Sequence, residues 1–521
     1  MCSQVNLIFS FKFSLIAIFI YITLAFTSPR LLGSFNEDFM ISKKILLSAL
    51  VGSAIFFGAC GDDTAAPSAA TPTQSSAVTP LPGISSSSIA PIPTSSTPAP
   101  TSSAPAPASS ATPTPSVYPA LATSANATYG ANDYALWKSF HVTSYEQETI
   151  TYPTLASEFN VVFSAAYMPA GRVVWSSQTG YYRNYCSDNS TTVPNMKTRA
   201  CTVSEGIGYG MLLAYFNGDD DTFVRLWNYS RAYRAYANRR LMPWITQSFH
   251  WMEVDNSSAT DADEDIATAL ILMYFKSGNA AFLQDALTFV NAIWDLEVNP
   301  STLLIYSGDE DLWKGANPVY NLSYFSPVAL RLFAMVDPSH NWQGVLDAMY
   351  TYMQLVQSMG TGVFPDWSDA TGAAANPPNE AAGSGPGSWT WYTFNKESVR
   401  IPWRIAWDYY WYQDLRAATI LNQLNTFISK KTSNNPDDKA LSVNYSWNLS
   451  VGADNTRNTV VSSQWYAAWC ATGLSGNPTW LAQCTTGLNA KTPSNTTQSY
   501  FSDILLTMYS ALLNGLMVRP F

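Results

Sequence analysis

Two short acidic segments carry the chemistry that this chain could perform: Ser204-Glu205-Gly206-Ile207-Gly208-Tyr209-Gly210-Met211 and Ala259-Thr260-Asp261-Ala262-Asp263-Glu264-Asp265-Ile266-Ala267. Each places carboxyl groups at the start of an apolar helical run. The surrounding sequence is crowded with Trp and Tyr. A carboxylic acid that gives a proton and a carboxylate that takes one can together cleave an acetal bond, and flat aromatic rings hold sugar rings beside them. The simpler reading of each segment is structural. An acid in the first turn complements the helix dipole, and Asp before a helix caps it. Three aspartates and one glutamate within Asp261–Asp265 exceed what a cap requires. Like charges that close raise one another's pKa unless compensated. Gly206, Gly208 and Gly210 give a thin backbone beside Glu205, where a ligand could approach.

Bulk composition narrows the function classes. Hydrophobic residues make up 47% of the 521, aromatics 14% and charged residues 12%, with a net charge of −10. An acidic chain lacks the clustered Lys and Arg that nucleic acid or anionic lipid surfaces require. The three histidines, His141, His250 and His340, are scattered, and no Cys-x-x-Cys occurs. A metal site, a cofactor or a His-based triad is therefore not expected.

The N-terminal region reads as a leader and a tether. Met40-Ile41-Ser42-Lys43-Lys44 precedes an apolar run from Ile45 to Phe57 and then Gly58-Ala59-Cys60. This is the pattern of an export signal, and Phe57-Gly58-Ala59-Cys60 resembles a bacterial lipobox, which implies lipid on Cys60. A second apolar stretch, Leu7 to Phe26, is long enough to span a membrane; a start at Met40 would remove residues 1–39. Residues 61–132 are mostly Ser, Thr, Ala and Pro, with no charge between Asp63 and Asp133, and read as an extended linker. The folded domain is expected over 133–521. Beyond Cys2 and Cys60, the cysteines form two sequence-local couples, Cys186 with Cys201 and Cys470 with Cys484. In an exported protein the simplest arrangement is two short-loop disulfides, with buried free thiols as the alternative.

Helical spacing dominates the domain. Apolar residues recur at helical intervals over Glu205–Phe216, Asp265–Phe275, Ala281–Trp294, Val328–Met335, Trp342–Met359, Ile405–Ile428, Ser463–Ala471 and Tyr500–Leu516. Many helices without heptads or a short repeat predict an all-α closed barrel or large bundle.

Taken together, the motifs resemble glycoside hydrolase family 8. Three further segments join the two acidic ones in family order: Leu241-Met242-Pro243-Trp244, Asn321-Leu322-Ser323-Tyr324-Phe325-Ser326-Pro327, and Arg400-Ile401-Pro402-Trp403-Arg404 with Asp408-Tyr409. The resemblance implies an (α/α)6 barrel of two concentric helix rings and inverting, endo-acting hydrolysis of β-1,4-linked glycans. It implies Glu205 as general acid with a raised pKa, Asp261 as the aspartate that holds and distorts the sugar, and Tyr324 near the attacking water. Arg400 and Asp263 would contact substrate, and Trp244 and Trp313 would stack sugar rings. The base position of the commonest branch is here Glu397, which keeps the carboxylate and adds a methylene. Asp366, Asp369 and Glu380, on the preceding loop, are the rivals. Asp408 is expected to be structural, paired with Arg400 or Arg404. The expected substrate is cellulose or mixed-linkage glucan, with xylan or chitosan as alternatives. A glycan-binding lipoprotein that has lost the base is the non-enzymatic one. A monomer held at the cell envelope by its lipid, with polysaccharide as partner, completes the reading.

Overall fold

Helices pack where an apolar stripe can be buried, and here each stripe finds two neighbours. The computed structural model describes residues 118–151, 164–176, 186, 200–249, 253–255, 257–377, 391–456, 460–494 and 499–521. Its helices are α1 (Ala127–His141), α2 (Tyr145–Thr151), α3 (Ser204–Phe216), α4 (Asp220–Ala237), α5 (Thr260–Ser277), α6 (Ala280–Leu296) and α7 (Pro327–Val336). They continue with α8 (Trp342–Ser358), α9 (Ile401–Tyr412), α10 (Leu415–Thr432), α11 (Ser463–Ala471), α12 (Pro478–Leu488) and α13 (Tyr500–Leu513).

Packing contacts close these into two rings. Helix α3 packs on α5, α5 on α7, α7 on α9, α9 on α11, α11 on α13, and α13 returns to α3. Each of these six takes one outer helix: α4 on α3, α6 on α5, α8 on α7, α10 on α9, α12 on α11 and α1 on α13. This is the (α/α)6 double-ring barrel. The inner helices are the more apolar: nearly every residue of α3 and α13 is buried.

The connections are unequal, and that inequality makes the mouth. Inner helices pass to outer ones through the short segments 217–219, 278–279, 337–341, 413–414 and 472–477. Outer helices return to inner ones through 238–259, 297–326, 359–400, 433–462 and 489–499. The N-termini of the inner helices therefore open at one end, under long loops. Small antiparallel sheets brace those loops: Cys201–Val203 with Ile245–Gln247 and Glu253–Asp255, and Val319–Tyr320 with Ser368–Asp369.

Capping follows the same division. Each outer helix begins under an Asn or Asp side chain that accepts from its first turn: Asn126, Asp219, Asn279, Asn341, Asp414 and Asn477. At the inner helices the residues in that position (Val203, Ala259, Ser326, Arg400, Ser462 and Ser499) make no such bond.

Two sequence expectations change. The single run Ile405–Ile428 is two helices, broken where Gln413 turns left-handed (φ 51°) and Asp414 caps α10. The folded chain also begins before residue 133. Tyr118 stacks on Tyr410 at 4.7 Å and α1 starts at Ala127, in a low-charge stretch whose composition resembles the linker. Both disulfides form, Cys186–Cys201 and Cys470–Cys484. The first sits three residues ahead of Ser204; the second ties α11 to α12. The leader, Cys60, linker residues 61–117 and Glu380 lie outside the described residues.

Candidate active site

The inner-ring N-termini bring together residues that are far apart in sequence. Glu205 is the second residue of α3 and Asp261 the second of α5; Tyr324 precedes α7, Arg400 precedes α9, and Tyr500 opens α13. Arg400 is the hub. Its Nη1 donates to Glu205 Oε2 and, at 2.9 Å, to Asp261 Oδ2, while Nη2 donates to Glu397 Oε2. The guanidinium also lies 5.3 Å from the centre of the Tyr324 ring. Glu205 and Glu397 thus meet one guanidinium, and their side chains stay 15% and 19% exposed, so both reach solvent at the mouth.

The two carboxyls are held from behind. Tyr500 donates to Glu205 Oε1 at 2.9 Å, and Asn321 Nδ2 donates to Glu397 Oε2 at 2.7 Å. Neither Tyr500 nor Asn321 stood out in the sequence as a site residue, because neither belongs to an acidic motif. The glycines act differently from expectation. A methyl at Gly208 would meet Asp265 Cβ at 2.8 Å, and one at Gly206 would meet the Tyr500 hydroxyl at 3.1 Å. Their bareness lets α5 and α13 approach α3, which sets Glu205 against Asp261 and Tyr500; the thin backbone serves helix packing.

The rival bases separate by geometry. Asp366 is buried, and its Oδ1 accepts from the backbone N–H of Asn395, Glu397 and Ser398 at 3.0, 3.2 and 3.0 Å and from Ser398 Oγ at 2.8 Å. It anchors the turn that presents Glu397. Asp369 closes its own turn by accepting from Thr371 and Ala373. Asp408 pairs with Arg331 rather than with Arg400 or Arg404, at 2.7 Å, and accepts from Tyr350. Arg404 is taken by Asp265, two parallel bonds of 2.9 Å with both groups enclosed.

Burial decides the charges. It lifts Asp261 to about 7, with the negative charge of Glu205 adding and Arg400 opposing. Glu264 rises well above the usual range, since burial leaves both its oxygens without a donor. Burial opposes the charge on Arg400, but Glu397, Glu205 and Asp261 more than offset this and keep it firmly protonated. Burial, then the charge of Asp261, drives the Tyr324 hydroxyl far up, so it stays a neutral donor.

The expected sugar contacts divide. Trp244 is half-buried, and its carbonyl accepts from the Ser204 N–H at 2.9 Å, one residue from Glu205. Trp313 is 9% exposed and lies parallel to Trp367 at 5.5 Å, so one of its faces is already covered. Trp367 was not singled out in the sequence. Asp263 is fully enclosed and takes no part in the bonds at Arg400; its Oδ1 accepts instead from Met242 N–H, so the expected substrate contact is not seen.

Comparison with known proteins agrees with this arrangement. The profile described as Glycosyl hydrolases family 8 matches residues 150–512. Over 383 residues the chain is 30% identical to the beta-glucanase of Niallia circulans, covering 70% of this chain and 89% of that protein. Over 231 residues it is 35% identical to endoglucanase C of Ruminiclostridium cellulolyticum, covering 43% of this chain and 46% of that protein. The chain thus spans under half the length of that relative. The apo β-1,3-1,4-glucanase from Paenibacillus sp. X4 shares the fold, with a TM-score of 0.59 at 23% identity over 77% of this chain and 95% of that one.

Proposed function

The chain belongs to glycosyl hydrolases family 8, and from that premise we propose that it is an inverting, endo-acting hydrolase of β-1,4-linked glucan, cellulose or mixed-linkage. The meeting of Glu205 and Glu397 at Arg400 carries the proposal. The relatives named as endoglucanase and beta-glucanase favour glucan over xylan or chitosan.

Inversion needs an acid and a base about 6.5–9.5 Å apart, with a water between base and sugar. Glu205 donates its proton to the glycosidic oxygen. Glu397 has Oε2 engaged by Arg400 and Asn321, so Oε1 takes the proton of the attacking water. As substrate enters, Arg400 releases Glu205 and keeps Asp261 and Glu397. Asp261 binds the hydroxyls of the sugar at the cleavage point, and Tyr324 donates toward the water. Trp244 and Trp313 carry neighbouring rings.

Glu397→Ala is expected to lower kcat on barley β-glucan by about 10²–10⁴-fold, with KM little changed. Full activity in this variant would remove Glu397 from the role of base.

We further propose that the enzyme is exported and acts as a monomer tethered by lipid on Cys60, with the linker spacing the barrel from the membrane at about 3 Å per residue. Labelled palmitate should enter the parent protein in a bacterial host and not Cys60→Ala; an unlabelled parent would refute the anchor.

A further inference from the structure

The carboxyl groups least explained by catalysis are Asp263, in the first turn of α5, and Glu297, just past the end of α6. Both are fully enclosed. Asp263 Oδ2 and Glu297 Oε2 have no donor. Their other oxygens are tied to two loops. Asp263 Oδ1 accepts from Met242 N–H at 3.3 Å, in the segment that ends at Trp244. Glu297 Oε1 accepts from Ser258 Oγ at 2.6 Å. Ser258 in turn exchanges bonds with Asp309: its N–H donates to Asp309 Oδ1 at 3.0 Å, and Asp309 N–H donates to Ser258 Oγ at 3.1 Å. Asp309 leads into the single turn Asp311–Trp313, and Ser257, beside Ser258, accepts from Trp244 N–H at 2.7 Å.

We propose that Asp263 and Glu297 are positioning residues for glycan binding, two enclosed carboxyls whose hydrogen bonds lock the Trp244 loop and the Trp313 loop to the helix bearing Asp261. The inference rests on the reading of Trp244 and Trp313 as sugar platforms. Neither acid has a donor on its free oxygen, and two like charges so enclosed disfavour one another's ionisation. Burial, then the charge of Glu297, pushes Asp263 far up, and burial lifts Glu297 to about 8 against the bond from Ser258. The other charges facing the pair are Asp309, Asp261 and Glu264, with Lys314 on Glu297 and Arg404 on Glu264. The sign follows from these raised values. The folded state keeps a proton that the unfolded chain releases near its ordinary carboxyl range. The lock is therefore complete on the acid side, and it is lost as pH rises through about 8.

Asp263→Ala in the full-length protein should raise KM for barley β-glucan about tenfold, with kcat within about threefold of the parent. Hydrogen exchange should rise by a similar factor in peptides covering 241–247 and 308–314 and not elsewhere. Glu297→Gln supplies its own donor. It should keep the parent's KM at neutral pH and flatten the parent's rise in KM above pH about 8. Unchanged exchange in both segments of Asp263→Ala, a loss of kcat without a change in KM, or an undiminished alkaline rise in Glu297→Gln would each overturn the proposal. A parent that cleaves no β-glucan would refute the enzymatic reading alone, because the exchange measurement stands without activity.

Discussion

Glu205→Gln is expected to lower kcat on soluble β-glucan by about 10²–10⁴-fold, the usual worth of a positioned general acid, while oligosaccharide affinity stays within about threefold of the parent. Glutamine matches glutamate in size; its oxygen can still accept from Arg400, and its NH2 group can donate to the Tyr500 hydroxyl in the place where Glu205 accepted from it. It has no proton to give. The loss should therefore depend on the leaving group. An aryl cellobioside that expels an acidic phenol needs little protonation, and on it the variant should recover most of the parent rate. Two measurements decide: kcat on polymer and on aryl glycoside, and binding by calorimetry. Polymer hydrolysis within tenfold of the parent would remove Glu205 from the acid role. A comparable loss on the aryl glycoside would make it a binding residue instead.

The second large effect concerns stability. Arg404→Leu should destabilise the barrel by about 3–5 kcal/mol, because it leaves a fully enclosed Asp265 without its partner. The guanidinium makes two 2.9 Å bonds to that carboxylate and lies 4.6 Å from the Trp403 ring. It is also the positive charge that favours the ionised form of Glu264, against the burial that holds that carboxyl far up. The cost comes from stranding a buried anion, so removing both partners should be milder than removing one. Arg404→Leu combined with Asp265→Leu is expected to regain more than half of the loss in a urea-unfolding cycle. Additive single losses would mean that packing, rather than the ion pair, sets the effect.

Local signals gave the sequence reading its success, and distance limited it. Glu205, Asp261, Tyr324 and Arg400 lie in motifs that announce themselves, Glu397 was read by its place three residues before one of them with three loop acids as rivals, and the structure gathers all five at one mouth. Of the residues that hold or extend this set, Tyr500 and Trp367 carry no local mark, and Asn321 opens a marked segment without being an acid; Tyr500 reaches Glu205 only because the ring closes from α13 back to α3. Charge pairing was misjudged for the same reason. Asp408 finds Arg331 from the neighbouring inner helix, and nothing near Asp408 in sequence points to it. Helix detection failed where composition masked periodicity. Helix α1 begins in an Ala/Thr/Asn stretch that continues the look of the linker, and α4 mixes Arg, Tyr and Trp so densely that no clean stripe shows. Helices α9 and α10 merged because helical spacing runs across Gln413, a left-handed residue with no glycine to betray it.

The uneven treatment of helix ends divides labour within the barrel. The outer helices start under dedicated Asn and Asp caps at the face away from the mouth, each worth about 1 kcal/mol. The inner helices start without them, and the first amides beside Glu205 and Asp261 donate instead to loop carbonyls, Ser204 to Trp244 and Thr260 to Ser307. Resistance to heat can therefore be gained or surrendered at the floor of the molecule, one loop at a time, while turnover is tuned at the rim. A lineage moving between warm and cold habitats would be free to rewrite the first face and obliged to leave the second alone.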